Sequence, residues 1–259
     1  MLINLHQFLK ILYSLKFPFL KRLIPSLIKR IFFINSEQII KLSFCTIQLD
    51  LKQSIDREIY LNGFYEKEQL NYLDELCSDK ITHFFDVGAN IGYYSLYFKR
   101  IKNIYSFEPN ENTFLKLKKN IALNKLNFNI YNIGLSNSNS ESKIWYSDKN
   151  KTGGSAVFNE KDIELKKYNQ KNIIKEKIIL KKLDDIIDLK FSEILIKIDV
   201  ERHEKEALEG MNNLIQNNNV IMQIEIGSEK KDEIFEYLKK LNLKWIKSIR
   251  HDHFFSKQK

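Results

Sequence analysis

The sequence predicts an α/β chain built on a doubly wound, mostly parallel sheet. Three observations carry this. From about His83 onward, short apolar runs alternate with helical patterns. The runs are apolar almost throughout, as strands covered on both faces require. The first of them, HFFDV, leads straight into the small-residue turn GANIG, and in such sheets ligands sit beyond the carboxyl ends of the strands.

The chain has 259 residues, 43% of them hydrophobic, which is enough for one large domain with a short appendage. With 3 Pro and 8 Gly it is not a linker-rich chain. Cys45 and Cys77 fit no metal or disulfide spacing and read as free thiols in a reducing, cytoplasmic setting.

Residues 1–35 are dense in apolar side chains but carry Lys10, Lys16, Lys21, Arg22, Lys29 and Arg30 and no acid, so they supply +6 of the net +9. No apolar run in them approaches the roughly 20 residues that span a bilayer. Pro18 and Pro25 divide them into short helices. Two readings stand: a basic amphipathic segment in peripheral contact with the inner face of an anionic membrane, or a helical appendage packed on the main domain with its lysines outward. The rest of the chain is near charge balance, so nucleic acid is not an expected partner.

Residues 36–79 form a lead-in region, in which YEKEQLNYLDELC, residues 65–77, has helical apolar spacing. Residues 80–257 carry the alternation. The strand runs are HFFDV, NIYSF, FNIYNIGL, EILIKIDV and VIMQIEI, and the helical stretches are YYSLYFKRI, NTFLKLKKNIALN, HEKEALEGMNNLI and KKDEIFEYLKKL. Residues 137–188 break the rhythm and read as an insertion of strands and loops. The end, LKWIKSIRHDHFF, reads as two short strands joined by a tight turn.

The turn Asp86-Val87-Gly88-Ala89-Asn90-Ile91-Gly92 is the first candidate binding element. Its spacing is G-x-N-x-G rather than G-x-G-x-x-G, and a carboxylate precedes it. An acid beside a pyrophosphate would be repelled, which opposes a dinucleotide and hence a dehydrogenase. An acid suits S-adenosylmethionine, whose sulfonium and ammonium are cationic. The next strand ends YSFEPN, placing Glu108 22 residues after Asp86, where an acid accepts ribose hydroxyls. The bland alternative is that Asp86 caps the following helix and Glu108 is merely exposed.

FFDVGANIGYYSLYF, YSFEPN, KKNIALN, TGGSAVF, KKLDDII, ILIKIDVERHEKEALEGM and VIMQIEI occur in this order. In that respect residues 80–255 resemble the FkbM-type family of S-adenosylmethionine-dependent methyltransferases. The resemblance implies a Rossmann-like class I methyltransferase fold, with a seven-stranded sheet whose last strand is antiparallel. It implies that Asp86, Gly88, Ala89, Asn90 and Gly92 shape the cofactor turn, that Glu108 holds the ribose with Pro109 and Asn110 in the same loop, and that Gly134 lies near the adenine. It implies a small-molecule or glycan acceptor methylated on oxygen. One departure is plain: where the family commonly has Gly in D-V-E-G-x-E, this chain has Arg202.

Methyl transfer to a hydroxyl needs alignment and a proton acceptor. The segment Asp199-Val200-Glu201-Arg202-His203-Glu204 ends the fourth strand, where both are wanted. Strand alternation puts Lys197 and Asp199 opposite Ile196 and Ile198. Asp199 and Glu201 are the candidate catalytic residues. The structural alternative makes Asp199 the N-cap of a helix starting near Arg202. His203 is expected to be structural, and no metal site is expected, because the acids and the histidine come from one short segment without ligand spacing. The TGGS loop, residues 152–155, is a candidate cover over the acceptor or a simple turn. Two other functions compete: an RNA methyltransferase using the basic segment, and a cofactor-binding protein with a decayed acceptor site.

Overall fold

The computed structural model describes residues 36–146, 156–157 and 174–257. The basic segment 1–35 and the TGGS loop lie outside the described residues, so the expected helical appendage and loop cover are not observed either way.

Strands β1 (Glu37–Lys41) and β2 (Thr46–Asp50) form an antiparallel hairpin. Helices α1 (Ser54–Asn62) and α2 (Lys67–Leu76) follow, α2 being the helix expected from the spacing in residues 65–77. The alternating region begins with β3 (His83–Val87), α3 (Tyr93–Tyr97), β4 (Asn103–Phe107), α4 (Glu111–Leu123) and β5 (Asn129–Tyr131). Strand β6 (Gly134–Leu135) follows, and the expected insertion contributes β7 (Ser140–Tyr146), β8 (Ala156–Val157) and β9 (Ile174–Lys181), then a 3-10 turn at Leu183–Asp185. Alternation resumes with β10 (Glu193–Ile198), α5 (Glu204–Glu209), α6 (Asn212–Asn217), β11 (Asn219–Glu225) and α7 (Lys231–Lys240). The chain ends in the expected strand pair, β12 (Leu243–Ile249) and β13 (Asp252–Lys257).

Across the main sheet the order is β12-β13-β11-β10-β3-β4-β5. Strands β11, β10, β3, β4 and β5 pair in parallel. Strand β13 is antiparallel to both its neighbours, as expected for the last strand. This is the class I methyltransferase arrangement. The chain moves outward from β3 through β4 to β5, then returns to β10 on the other side of β3. The crevice at the carboxyl ends of β3 and β10 is therefore the topological switch point, where such sheets bind ligands.

Strand alternation sorts the side chains into two cores. Phe84 and Leu195 face α1, α2 and α3, while Phe85, Ile196 and Met222 face α5, α6 and α7. All five are 0% exposed, and each fully buried side chain of this size contributes about 1.5–3 kcal/mol. The lead-in shares the first core through Ile47 and Leu49. It also clamps α4: the Gln48 N–H donates to Asn120 Oδ1 at 2.7 Å, and Asn120 Nδ2 donates to the Ile91 carbonyl at 3.0 Å. One buried amide thereby ties the hairpin, α4 and the glycine turn together.

FNIYNIGL, one strand run in the sequence, is split. Its first half is β5 of the main sheet; its second is β6, which pairs with β9 in a separate sheet of order β6-β9-β7-β8. HEKEALEGMNNLI is likewise two helices, broken at Gly210 and Met211. A Cβ at Gly210 would stand 1.9 Å from the Ser136 carbonyl oxygen, so the backbone there abuts the turn after β6. Among the described residues, no helix is long and apolar enough to cross a membrane.

Candidate functional site

The glycine turn leaves β3 and lies directly against the end of β10. Gly88 has φ +79°, and a Cβ there would meet the Asp199 carbonyl oxygen at 1.8 Å. Only glycine satisfies both demands. The N–H groups of Gly88 and Ala89 both donate to the Phe107 carbonyl, at 3.0 and 2.9 Å. Asn90 follows in the left-handed region, and Gly92 precedes α3.

Asp86 is fully buried one residue before the end of β3. Its Oδ2 accepts from the backbone N–H of Ser95 at 3.0 Å and from the Ser95 hydroxyl. Its Oδ1 has no partner among the described residues. Burial raises the Asp86 carboxyl above its ordinary range, and Lys197 opposes that shift. Half of this carboxylate therefore anchors α3, and half is an orphaned acceptor of the kind that marks a missing donor.

Glu108 opens the loop after β4. Its two oxygens accept from the N–H groups of Asn90 and Asn110, each at 2.9 Å. It thus bridges the turns after β3 and β4. Burial pushes its carboxyl up to about 7 against those two hydrogen bonds. Asn110 caps α4, its Oδ1 accepting from the Thr113 N–H at 2.8 Å, and its Nδ2 donates to Glu176 at 2.8 Å. Pro109 and Gly134 stand together, with Leu180 of β9 over Gly134.

Across the cleft, Asp199 leaves β10. Its Oδ2 pairs with Lys197 Nζ at 3.1 Å, confirming the shared face that strand alternation gives these two residues. Asp199 is not a helix N-cap. Glu201 (φ 49°) and Arg202 (φ 76°) are both left-handed, and α5 starts only at Glu204 behind His203. Glu201 reaches solvent, yet partial burial and the carboxylates of Asp199 and Glu204 push its carboxyl up. His203 Nε2 lies 3.0 Å from the Ser136 hydroxyl. The Arg202 guanidinium turns outward to Glu229 at 3.4 Å, so it does not fill the cleft.

Gly88, Asn90, Glu108, Pro109, Gly134, Asp199 and Glu201 line one cleft; Asp86, Ala89, Gly92 and Asn110 are buried and do not line it. The residues fit a donor-bearing, cationic cofactor. They offer the Glu108 carboxylate and a glycine backbone at close approach, with no lysine or arginine among the described lining residues.

A buried polar row within the sheet is not among the sequence candidates. Ser106, Asp86, Lys197 and Gln223 occupy one register row across β4, β3, β10 and β11. All are buried, Lys197 at 6% exposure and the others at 0%. Burial lowers the Lys197 ammonium, but Asp199, Asp86 and Glu66 more than offset this and hold it charged. Above the row, Tyr94 of α3 donates to Glu66 at 3.0 Å, and Gln223 Nε2 donates to Asp252 at 2.8 Å. A sequence signal exists: Gln223 and Glu225 alternate in an apolar strand, in phase with Lys197 and Asp199 of the strand beside it.

Over residues 86–247 the chain matches the family model described as the methyltransferase FkbM domain. It is 29% identical over 161 residues to a protein of Haloferax volcanii named hexuronic acid methyltransferase AglP. That alignment covers 62% of each chain, so the chain spans less than two thirds of that relative's length. Among solved structures, it aligns with an FkbM methyltransferase from Methylobacillus flagellatus KT at 15% identity and a TM-score of 0.46, covering 77% of this chain and 52% of that one. It also aligns with M. jannaschii TYW2 in complex with AdoMet, at 15% identity and a TM-score of 0.43, covering 85% and 84%.

Proposed function

The chain belongs to the FkbM family of S-adenosylmethionine-dependent methyltransferases, and from that premise we propose that it methylates a hydroxyl of a sugar, free or in a glycan. The observation that carries the reading is the single cleft at the carboxyl edge. The glycine turn and Glu108 form one wall of it, and Asp199 and Glu201 form the other. The similarity to a protein named for a hexuronic acid substrate supports a sugar-type acceptor.

In this reading, Gly88, Ala89, Asn90 and Gly92 shape the cofactor turn, with Asp86 behind it. Glu108 takes the ribose hydroxyls, and Pro109, Asn110 and Gly134 bound the adenine side. S-adenosylmethionine, when bound, supplies a methyl group already activated by its sulfonium. The protein's task is alignment, exclusion of water and removal of one proton. Asp199, held by Lys197, orients the acceptor hydroxyl. Glu201, a better proton acceptor because burial and then Asp199 and Glu204 push its carboxyl up, takes the proton.

Calorimetry tests the premise. Wild-type protein is expected to bind S-adenosylmethionine and not NAD. Glu108→Ala is expected to weaken binding by about 10- to 100-fold, the effect of deleting a charged hydrogen-bonding partner. Undiminished binding by the variant would remove Glu108 from the cofactor site. Absence of binding by folded wild-type protein would defeat the proposal.

A further inference from the structure

The segment that carries Glu201 is held in a conformation its residues resist. Glu201 and Arg202 are both left-handed, with φ of 49° and 76°. Among the described residues no other two neighbouring non-glycine residues are both left-handed. A side chain disfavours this conformation, and the strain persists only where the surroundings over-determine the backbone. Such strain gathers at sites where a group must be held ready, and Glu201 lines the cleft beside Asp199 and His203.

Three separate parts of the chain converge on the segment. From α5, Glu204 Oε1 accepts from the Arg202 N–H at 2.7 Å. From the residue before α7, Lys230 Nζ donates to the Arg202 carbonyl at 2.8 Å. From the turn after β6, the Ser136 hydroxyl lies 3.0 Å from His203 Nε2. Both backbone polar groups of Arg202 are thereby engaged, and the next residue is tied through its ring. Upstream, the Asp199 N–H donates to the Val87 carbonyl at 3.0 Å, so the segment is fixed at both ends. Ser136 and Glu204 are themselves buried. The Lys230 side chain does not cap α7, so its bond to Arg202 is no by-product of starting that helix.

Resting on the reading of Glu201 as the proton acceptor, we infer that Lys230 is a positioning residue: together with Ser136 and Glu204 it clamps the strained Glu201–Arg202 segment and so fixes Glu201 at the cleft. A proton acceptor works only within hydrogen-bond reach of the hydroxyl it serves. A segment free to relax its strain would carry Glu201 out of that range. Glycine at position 202, the family's usual residue, adopts the left-handed region readily; the clamp answers what this chain's arginine requires.

The test follows the Glu201 carboxyl by carbon-13 NMR titration of the full chain, its resonance assigned with Glu201→Gln. Held in place, that carboxyl is pushed up to about 7 by burial, then by Asp199 and Glu204, against Lys197 and Arg202. Lys230→Met is expected to lower the value by about 1 pH unit or more, as the carboxyl swings into water. The sign is diagnostic, because removal of a cation by charge alone raises a carboxyl. Lys230→Arg, which keeps a donor, is expected to restore the wild-type value. Ser136→Ala cuts the His203 tie without changing charge; it is expected to act like Lys230→Met, and it carries the test if that variant does not fold. An ordinary glutamate value in the wild type overturns the inference, as does an unchanged or higher value in Lys230→Met. Calorimetry on the same wild-type sample separates the parent reading. Absence of S-adenosylmethionine binding by the folded chain overturns that reading and, with it, the catalytic purpose of the clamp.

Discussion

Arg202 shows how one backbone angle explains a departure from a family pattern. Its φ of 76° lies in the left-handed region, where a side chain costs about 1–2 kcal/mol and glycine costs little. The family's usual glycine answers that conformation, and this chain accepts the strain. The side chain gains only an exposed pair with Glu229 in return. Arg202→Gly is therefore expected to stabilise the protein by about 1 kcal/mol and to leave S-adenosylmethionine binding intact. Urea denaturation with parallel calorimetry checks both; a lower midpoint would show that the guanidinium contributes more than its geometry indicates. At this scale the sequence was informative about residue type and poor on direction. An acid before a glycine turn is legible as Asp86, but the division of its oxygens between Ser95 and an open position is not. That division depends on α3, whose placement is tertiary. Likewise, an N-cap at Asp199 is a fair reading of the letters, and two left-handed residues cancel it.

Among the elements, the strands of the main sheet and the longer helices were legible, because each repeats one periodicity long enough to register. Elements cut by a contact from elsewhere were not. HEKEALEGMNNLI has continuous helical character, and at the break Gly210 packs against the Ser136 carbonyl from another part of the chain. Gly210→Ala would drive a methyl group to 1.9 Å from that oxygen. The expected cost is about 2–4 kcal/mol, the range of a severe overpacking defect, read as a lower denaturation midpoint. An unchanged midpoint would mean that the α5–α6 junction moves freely. The insertion was visible as lost rhythm, but its pairing order β6-β9-β7-β8 was not. Those pairings join residues some 40 positions apart, such as Ser140 and Leu180, and local periodicity carries no record of them.

Over the whole molecule, the carboxyl edge concentrates acids whose protonation is tied to folding. Burial pushes Glu66 and Glu108 up to about 7 and Glu225 to about 8. A carboxyl raised above its unfolded value near 4.5 stabilises the fold while protonated, and that contribution is lost as pH rises through the folded pKa. His83, His203 and His253 are depressed by burial, which works in the opposite sense, but only below their unfolded value near 6.5. Above pH 6.5 the histidine effect fades while the acids go on titrating, so thermal stability of the ligand-free protein is expected to fall toward pH 8. Glu225→Gln is expected to flatten the upper part of the fall. A melting temperature that rises from pH 6.5 to 8 would contradict the linkage. By itself, the sequence determined the fold class, the glycine turn after the first strand of the alternating region, the acid after the second and the acids ending the fourth, because each is a local pattern in residue type. Only the tertiary structure decided that Glu66, Glu225, Gln223 and Asp252 join Asp199 around Lys197. Their meeting depends on strand register and on a lead-in folded over the sheet, and neither leaves a periodic trace in the chain.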